Sequence, residues 1–346
     1  MVTIRSVLVL FFLFLFGIGQ SQEISGLVLD SKNNMPLEGA SVYFNNTTIG
    51  STTNSRGEFI LEFIEAIKTP LIISFIGYET VILYNFSTTN ELEIQLNEST
   101  NVLNEVILTN KDDWPRKLKL KEFKRNYLGE SKNGLASKIL NEDDIILRYD
   151  KDEKRLTAWA NVPILIRNKK LEYLITIELK HFEVNYFYVS KNRKRLKVEY
   201  VYYSGQNLYK SLQDSPTAIT NGNRLDAYFG STLHFMRALA NENLENKGYK
   251  LYIGNIPYKT EKFITVTPVT DSKRVKVELK DRFSIIYKNK KRSSLENLGT
   301  EFYIDNFGNH SPPEKVRFGG DFGKQRMGDA LPLDFLLTNR NTKKTD

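Results

Sequence analysis

The chain has 346 residues, 40% hydrophobic and 26% charged, with 18 Tyr and 21 Phe. This is a globular composition, long enough for one large or two ordinary domains and favourable to half-buried strands. No Cys occurs, which excludes disulfides, thiolate nucleophiles, cysteine metal sites and the lipid-attachment cysteine of a bacterial lipoprotein, while the net charge of +8 fits contact with a polyanionic surface.

In chain order, Arg5 and the apolar run Val7–Ile18 are followed by Gly19 and Ser21, small residues at the −3 and −1 positions of a cleavage after Ser21. Residues 1–21 therefore read as a signal peptide, since the run is short against the roughly 18–20 residues of a membrane span. The alternative is an N-terminal anchor. Residues 22–98 read as at least six short strands at intervals of about ten residues, an antiparallel β-sandwich. Within "TTNSRGEFIL", Asn54 and Gly57 mark a hairpin corner, and Phe59, Leu61 and Phe63 alternate onto one face. Gly77 in "SFIGYET" marks a bulge or a close backbone approach, with Tyr78 anchoring a strand end.

Residues 99–113 form a polar linker. Residues 114–129 predict a helix, with Pro115 in its first turn and Gly129 at its end. Residues 143–204 alternate as an antiparallel sheet, and "DKDEK" (150–154) is a solvated hairpin. A single helix is expected over 223–247, with Asn223 as its cap and Gly248 as its stop. Strands return over 249–318, and 338–346 is a frayed tail. The fold class is thus mainly β, a sandwich followed by an α+β domain at 114–337 with two or more helices.

"SGLVLDSKNNMPLEGASVYF", "GSTTNSRGEFIL" and "LIISFIGYETVIL" occur in the order of the carboxypeptidase-regulatory-like (transthyretin-like) domain, and residues 24–98 resemble it. Such domains stand at the front of TonB-dependent outer-membrane receptors, and "LNEVILT" (103–109) is similar to the segment that follows them there. A receptor barrel of about 22 strands needs far more chain than remains. "WPRKLKLKEFKRNYLGES" and "RFGGDFGKQRMGDALPLDF" instead resemble the second domain of standalone Bacteroidota envelope proteins of this kind. The resemblance implies an exported protein of the periplasm, outer membrane or cell surface, and it implies no peptidase activity.

The chemistry agrees. Zinc carboxypeptidases need two imidazoles and a carboxylate around an open metal position, usually from H-x-x-E. Here His181, His234 and His310 are followed at +3 by Val184, Arg237 and Pro313. Ser231 lies three residues before His234, but no G-x-S-x-G surrounds it. No catalytic, metal or cofactor-binding residue is assigned, and no cofactor is expected. "RMGDALP" suggests that Arg326, Asp329 and Asp334 form a buried ion-pair or binding cluster with His234 or Arg237. The basic runs 116–125, 191–197 and 288–292 read as solvated surface, or as a patch for anionic glycan or lipid. Nucleic acid and a membrane-spanning role are not expected. The reading is a non-enzymatic binding or scaffold protein contacting an envelope protein or an anionic glycan or lipid surface. Its alternatives are a hydrolase of envelope polysaccharide or peptide using dispersed carboxylates, and an accessory of TonB-dependent uptake. The oligomeric state is open.

Overall fold

Alternating apolar residues build seven short strands in the first hundred positions of the computed structural model, which describes residues 22–63, 69–86, 91–99, 112, 114–189, 196–254, 256–258, 263–270, 274–280 and 282–336. The expected signal peptide, nearly all of the linker with its "LNEVILT" stretch, and the tail lie outside these residues. Strands β1 (Gln22–Asp30), β4 (Glu58–Phe63) and β7 (Leu92–Leu96) form one sheet in the order β4-β1-β7. Strands β2 (Ser41–Phe44), β3 (Gly50–Thr52), β5 (Leu71–Ser74) and β6 (Val81–Leu83) form a second in the order β3-β2-β5-β6. The two sheets close on Ile24, Val28, Phe44, Phe59, Leu61 and Ile73. One pair departs from the antiparallel expectation: β1 and β7 run parallel, with Gly26 opposite Leu92.

The corner at residue 57 requires glycine for two reasons. Its φ is +76°, and an added Cβ would lie 2.6 Å from the Val28 carbonyl oxygen. Asn54 Oδ1 accepts from the N–H groups of Arg56 and Glu58 at 2.9 and 3.0 Å, which sets the turn. Gly77 also has a positive φ of +88°, but nothing lies within 4 Å of its added Cβ. It serves a turn, and the expected bulge or close approach is not the reason for it. The Tyr78 hydroxyl next to it donates to Asp30 Oδ2 at 2.6 Å.

The second core is organised by a long hairpin. Strands β12 (Tyr173–Tyr188) and β13 (Leu196–Ser211) have 16 residues each and pair along their length. The other edge of β12 is shared by β11 (Ile164–Asn168) and β10 (Arg155–Ala160), with β8 (Ser137–Ile139) and β9 (Ile145–Asp150) outside them. Helix α1 (Arg116–Tyr127) follows Pro115 and lays Phe123 and Tyr127 against Phe182 of this sheet. Much of its basic run is engaged locally. Arg116 donates to the carbonyls of Ile145 and Glu142, and Lys119, Lys124 and Arg125 pair with Asp112, Glu142 and Glu122. Partly exposed surface pairs of this kind are worth about 0–1 kcal/mol each, so they quench a patch more than they stabilise a fold.

The third core is a second sandwich. Strands β14 (Tyr249–Ile253), β15 (Ile256–Tyr258), β18 (Phe283–Tyr287), β19 (Lys291–Asn297) and β22 (Val316–Gly319) face β16 (Ile264–Pro268), β17 (Arg274–Leu279), β20 (Phe302–Asp305) and β21 (His310–Ser311). Phe235, Leu251, Phe283, Leu295, Phe302 and Ile304 fill the space between them. The single helix expected at 223–247 is replaced by two, α3 (Ala218–Tyr228) and α4 (Thr232–Ala240). Thr217 caps the first and Ser231 the second, so the expected cap at Asn223 falls inside α3. The break is at Gly230, whose φ is +72° and whose added Cβ would meet the Tyr287 ring at 2.5 Å. The apolar period runs through both helices, and it concealed a backbone reversal that a capping serine and one glycine bring about.

After the short helix α5 (Gly320–Lys324), residues 326–336 run as a strap from the central core to the first sandwich. Met327 and Leu331 enter the central core, and Leu333 enters that of the first sandwich. At Gly328 the strap touches bare backbone of α2 (Lys132–Leu135): an added Cβ would lie 2.4 Å from Gly134 Cα and 2.5 Å from the Leu128 oxygen. Gly328→Ala is expected to destabilise the protein by about 2 kcal/mol, the scale of an overpacked contact with no flexible side chain to yield. Urea denaturation of the two proteins measures this.

Candidate functional site

"NNTTIG" reads in the sequence as an ordinary polar turn. In the structure it joins the first sandwich to the central sheet and to the strap. Thr47 is fully buried, and its hydroxyl donates to the Phe44 carbonyl at 2.8 Å. The Asn46 N–H donates to Asn207 O at 2.8 Å, and the Tyr209 N–H donates to Thr47 O at 2.9 Å. Asn45 Oδ1 accepts from the Asn207 N–H at 2.9 Å. Residues 45–47 thus lie as a short parallel rung on the outer edge of β13, with Thr47 opposite Leu208. On the other side the Leu333 N–H donates to Asn46 O at 2.6 Å. Asp334 Oδ1 accepts from the Thr48 N–H at 2.9 Å, and its Oδ2 accepts from the Thr48 hydroxyl. These partners stand 162 and 286 positions away in the chain, so no local pattern announces them.

Arg237, on α4, closes this junction. It is 8% exposed. Nε donates to Phe307 O at 2.8 Å, Nη1 to Phe335 O at 3.0 Å and Nη2 to Leu333 O at 2.7 Å. Its guanidinium carbon lies 5.5 Å from the Tyr228 ring centroid. Burial raises the carboxyls of Asp305 and Asp334, against the lowering effect of hydrogen bonds from Asn309 and Phe307 on the first and from Thr48 on the second, and of the Arg237 charge on both. Arg237 and Asp334 therefore share one electrostatic environment without a direct ion pair. The strap turns its carbonyls toward the guanidinium, and the Asp334 side chain faces Thr48.

The other expected members of the cluster sit elsewhere. Arg326 donates to the carbonyls of Gly323 and Gln325. Asp329 Oδ1 accepts from the Ser131 hydroxyl at 2.7 Å and from Asn133 Nδ2 at 3.1 Å, which pins the strap to α2. His234 lies 5% exposed among the rings of Tyr228, Phe229, Tyr249 and Tyr287. Its Nδ1 accepts from the Gly230 N–H at 3.2 Å and lies 2.9 Å from the Tyr249 hydroxyl. Burial, then the charges of Lys247, Arg237, Lys288 and Lys291, lower its pKa to about 4. The ring is neutral near pH 7 and carries its proton on Nε2. Ser231 Oγ accepts the His234 backbone N–H at 3.1 Å as a helix cap, so it faces the main chain and forms no Ser–His dyad.

Of the remaining histidines, His181 is exposed beside Glu183 at 3.2 Å, and His310 packs its ring edge-to-face with Phe318. Among the described residues no group of three or more His, Asp or Glu is placed to hold a metal ion, and no helix is long and apolar enough to cross a membrane. Of the basic run 288–292, Lys291 donates to Phe229 O at 2.6 Å, and Lys288 lies over the Phe229 and Tyr287 rings. Residues 191–195 lie outside the described residues.

Residues 24–108 match the family model of the CarboxypepD_reg-like domain, about a quarter of the chain. No curated protein matches the chain. Similar solved structures include two type II cohesin–X-dockerin complexes from Acetivibrio cellulolyticus, one with an N-terminal and one with a C-terminal interface mutant. They are 24% identical over 22% and 21% of this chain, with TM-scores of 0.19 and 0.18. The chain spans only 56% and 51% of those chains.

Proposed function

We propose that this chain is an exported, non-enzymatic binding or scaffold protein of a bacterial cell envelope of the Bacteroidota kind. The observation that carries the proposal is the junction. Asn45–Thr48, Arg237 and Asp334 all bond segments of this chain to one another, and together they fix a CarboxypepD_reg-like sandwich against a broad central sheet. Groups that sequence reasoning offered to chemistry are engaged in holding a shape. The signal-like N-terminus and the basic balance support an extracytoplasmic position next to polyanionic surface.

In-cell cross-linking of a tagged full-length copy, followed by mass spectrometry, tests the proposal. Reproducible recovery of one or two envelope proteins is expected, together with a mature N-terminus at Gln22. Recovery of abundant background proteins alone overturns it.

A further inference from the structure

The outer edge of β13 is occupied at one end and open at the other. The residues of this strand whose main-chain groups point away from β12 are identified by the rung that the first sandwich supplies. Asn207 and Tyr209 send their N–H groups to Asn45 and Thr47. Antiparallel pairing alternates these directions residue by residue. The next outward positions are therefore Gly205, Tyr203 and Val201: the register shift between Leu179 and His181 places its extra residue, Lys180, on β12, and β13 itself runs from Gly205 to Tyr200 without an extra residue, so its alternation carries through. No hydrogen bond from another element reaches these three residues among those described, and all three are half-buried.

Natural sheets blunt such edges with proline, inward-pointing charge or an overlying element. Val201–Gly205 reads Val-Tyr-Tyr-Ser-Gly and carries neither proline nor charge. Gly205 is fixed by the hairpin itself, because an added Cβ would lie 2.4 Å from the Glu178 carbonyl oxygen.

Resting on the binding reading above, we propose that the open edge of β13 at Val201–Gly205 is a docking site for a short extended segment of a partner protein, which adds as a strand and continues the rung made by Asn45–Thr47. Continuity with that existing contact selects this occupant. Main-chain groups of β13 already accept an extended segment at Asn207–Tyr209, and the same edge of β13 runs on past the bulge that β12 makes opposite Gly205 and Ser204. In the antiparallel edge-to-edge register centred on Tyr202, the Leu196 end of a second copy of β13 would fall opposite Leu208, the position held by Asn45–Thr47. The free ladder has room for a segment of about five to seven residues. Strand addition draws affinity from main-chain bonds and specificity from alternate side chains. Tyr200 and Tyr202 on the open face, and Val201 and Tyr203 on the side packed toward α1, supply the two sets.

The test pans a displayed random nonapeptide library against the mature protein and measures the enriched peptides individually. Enriched peptides are expected to slow amide exchange at Tyr203 and Gly205. They are expected to lose at least tenfold in affinity to Val201→Pro, which removes an outward N–H and leaves the β12 ladder bonds in place. A second variant, Tyr202→Lys, puts a charge beside the ladder without altering the main chain and is expected to weaken the same peptides. Peptides that bind both variants normally and leave Tyr203 and Gly205 unprotected overturn the edge site while leaving the binding reading intact. No enrichment above a bait-free control also overturns it, and the cross-linking experiment then decides the broader reading separately. Dimerisation that both variants abolish, without peptide capture, replaces the partner segment with a second copy and overturns the proposal.

Discussion

His234→Gln is expected to flatten the acid side of the stability profile. The imidazole titrates near 6.5 in the unfolded chain and near 4 in the folded one. Because its folded pKa is depressed, its contribution is complete above pH 6.5 and is lost as pH falls toward 4. A shift of this size corresponds to about 3 kcal/mol when fully expressed, at roughly 1.4 kcal/mol per pKa unit. His310 is lowered to about 4 by burial and adds a slope of the same sign. Asp305 and Asp334, whose carboxyls burial raises, act in the opposite direction, stabilising on protonation and losing that contribution as pH rises. The wild-type profile is therefore a sum of opposing slopes, and the difference between wild type and His234→Gln isolates one of them. Urea denaturation at pH 7.5 and at pH 4.5 measures it. The two proteins should lose stability unequally on acidification, the wild type by about 2–3 kcal/mol more. Equal losses would show that His234 titrates normally in the fold.

Arg237→Ala is expected to be the most damaging change at the junction. It leaves the carbonyls of Phe307, Leu333 and Phe335 without their donor, and it leaves Asp305 and Asp334 without the nearby positive charge. Removing one member of a buried charged set costs about 3–5 kcal/mol, chiefly through the groups left unpaired. Arg237→Lys should recover only part of this, because a single ammonium cannot span three carbonyls that the planar guanidinium fork reaches together. The predicted signature is local before it is global. Amide exchange should accelerate first at Leu333, which bonds Asn46, and at Thr48, which bonds Asp334. Uniform acceleration across the central sheet would contradict a junction role and indicate general loss of stability.

Legibility in the sequence followed the range of the forces. The first sandwich could be read because alternation and turn chemistry are local. Asn54 and Gly57 specify their corner within five residues, and helix α1 shows its Pro115 start in the same way. The junction could not be read that way. Asn45–Thr48 has the composition of a solvated turn, and only partners far along the chain make it buried. Of the expected cluster, His234, Arg237 and Asp334 are buried, while Arg326 and Asp329 are half-buried and bonded elsewhere. The arrangement was not legible, because sequence proximity cannot say whether Arg237 faces a carboxylate or three carbonyls. The division of 223–247 into two helices was signalled by Ser231 and Gly230, and the continuing apolar period outweighed them.

The strap at 326–336 sets an order of events during synthesis. The first sandwich leaves the ribosome early, yet Leu333 and Phe307 complete its core. Met327 and Leu331, equally late, complete that of the central sheet. Contacts of such long sequence separation form slowly. Until residues 326–336 are made, both cores remain open on one side, and a chain that stops before Met327 leaves two unfinished interiors.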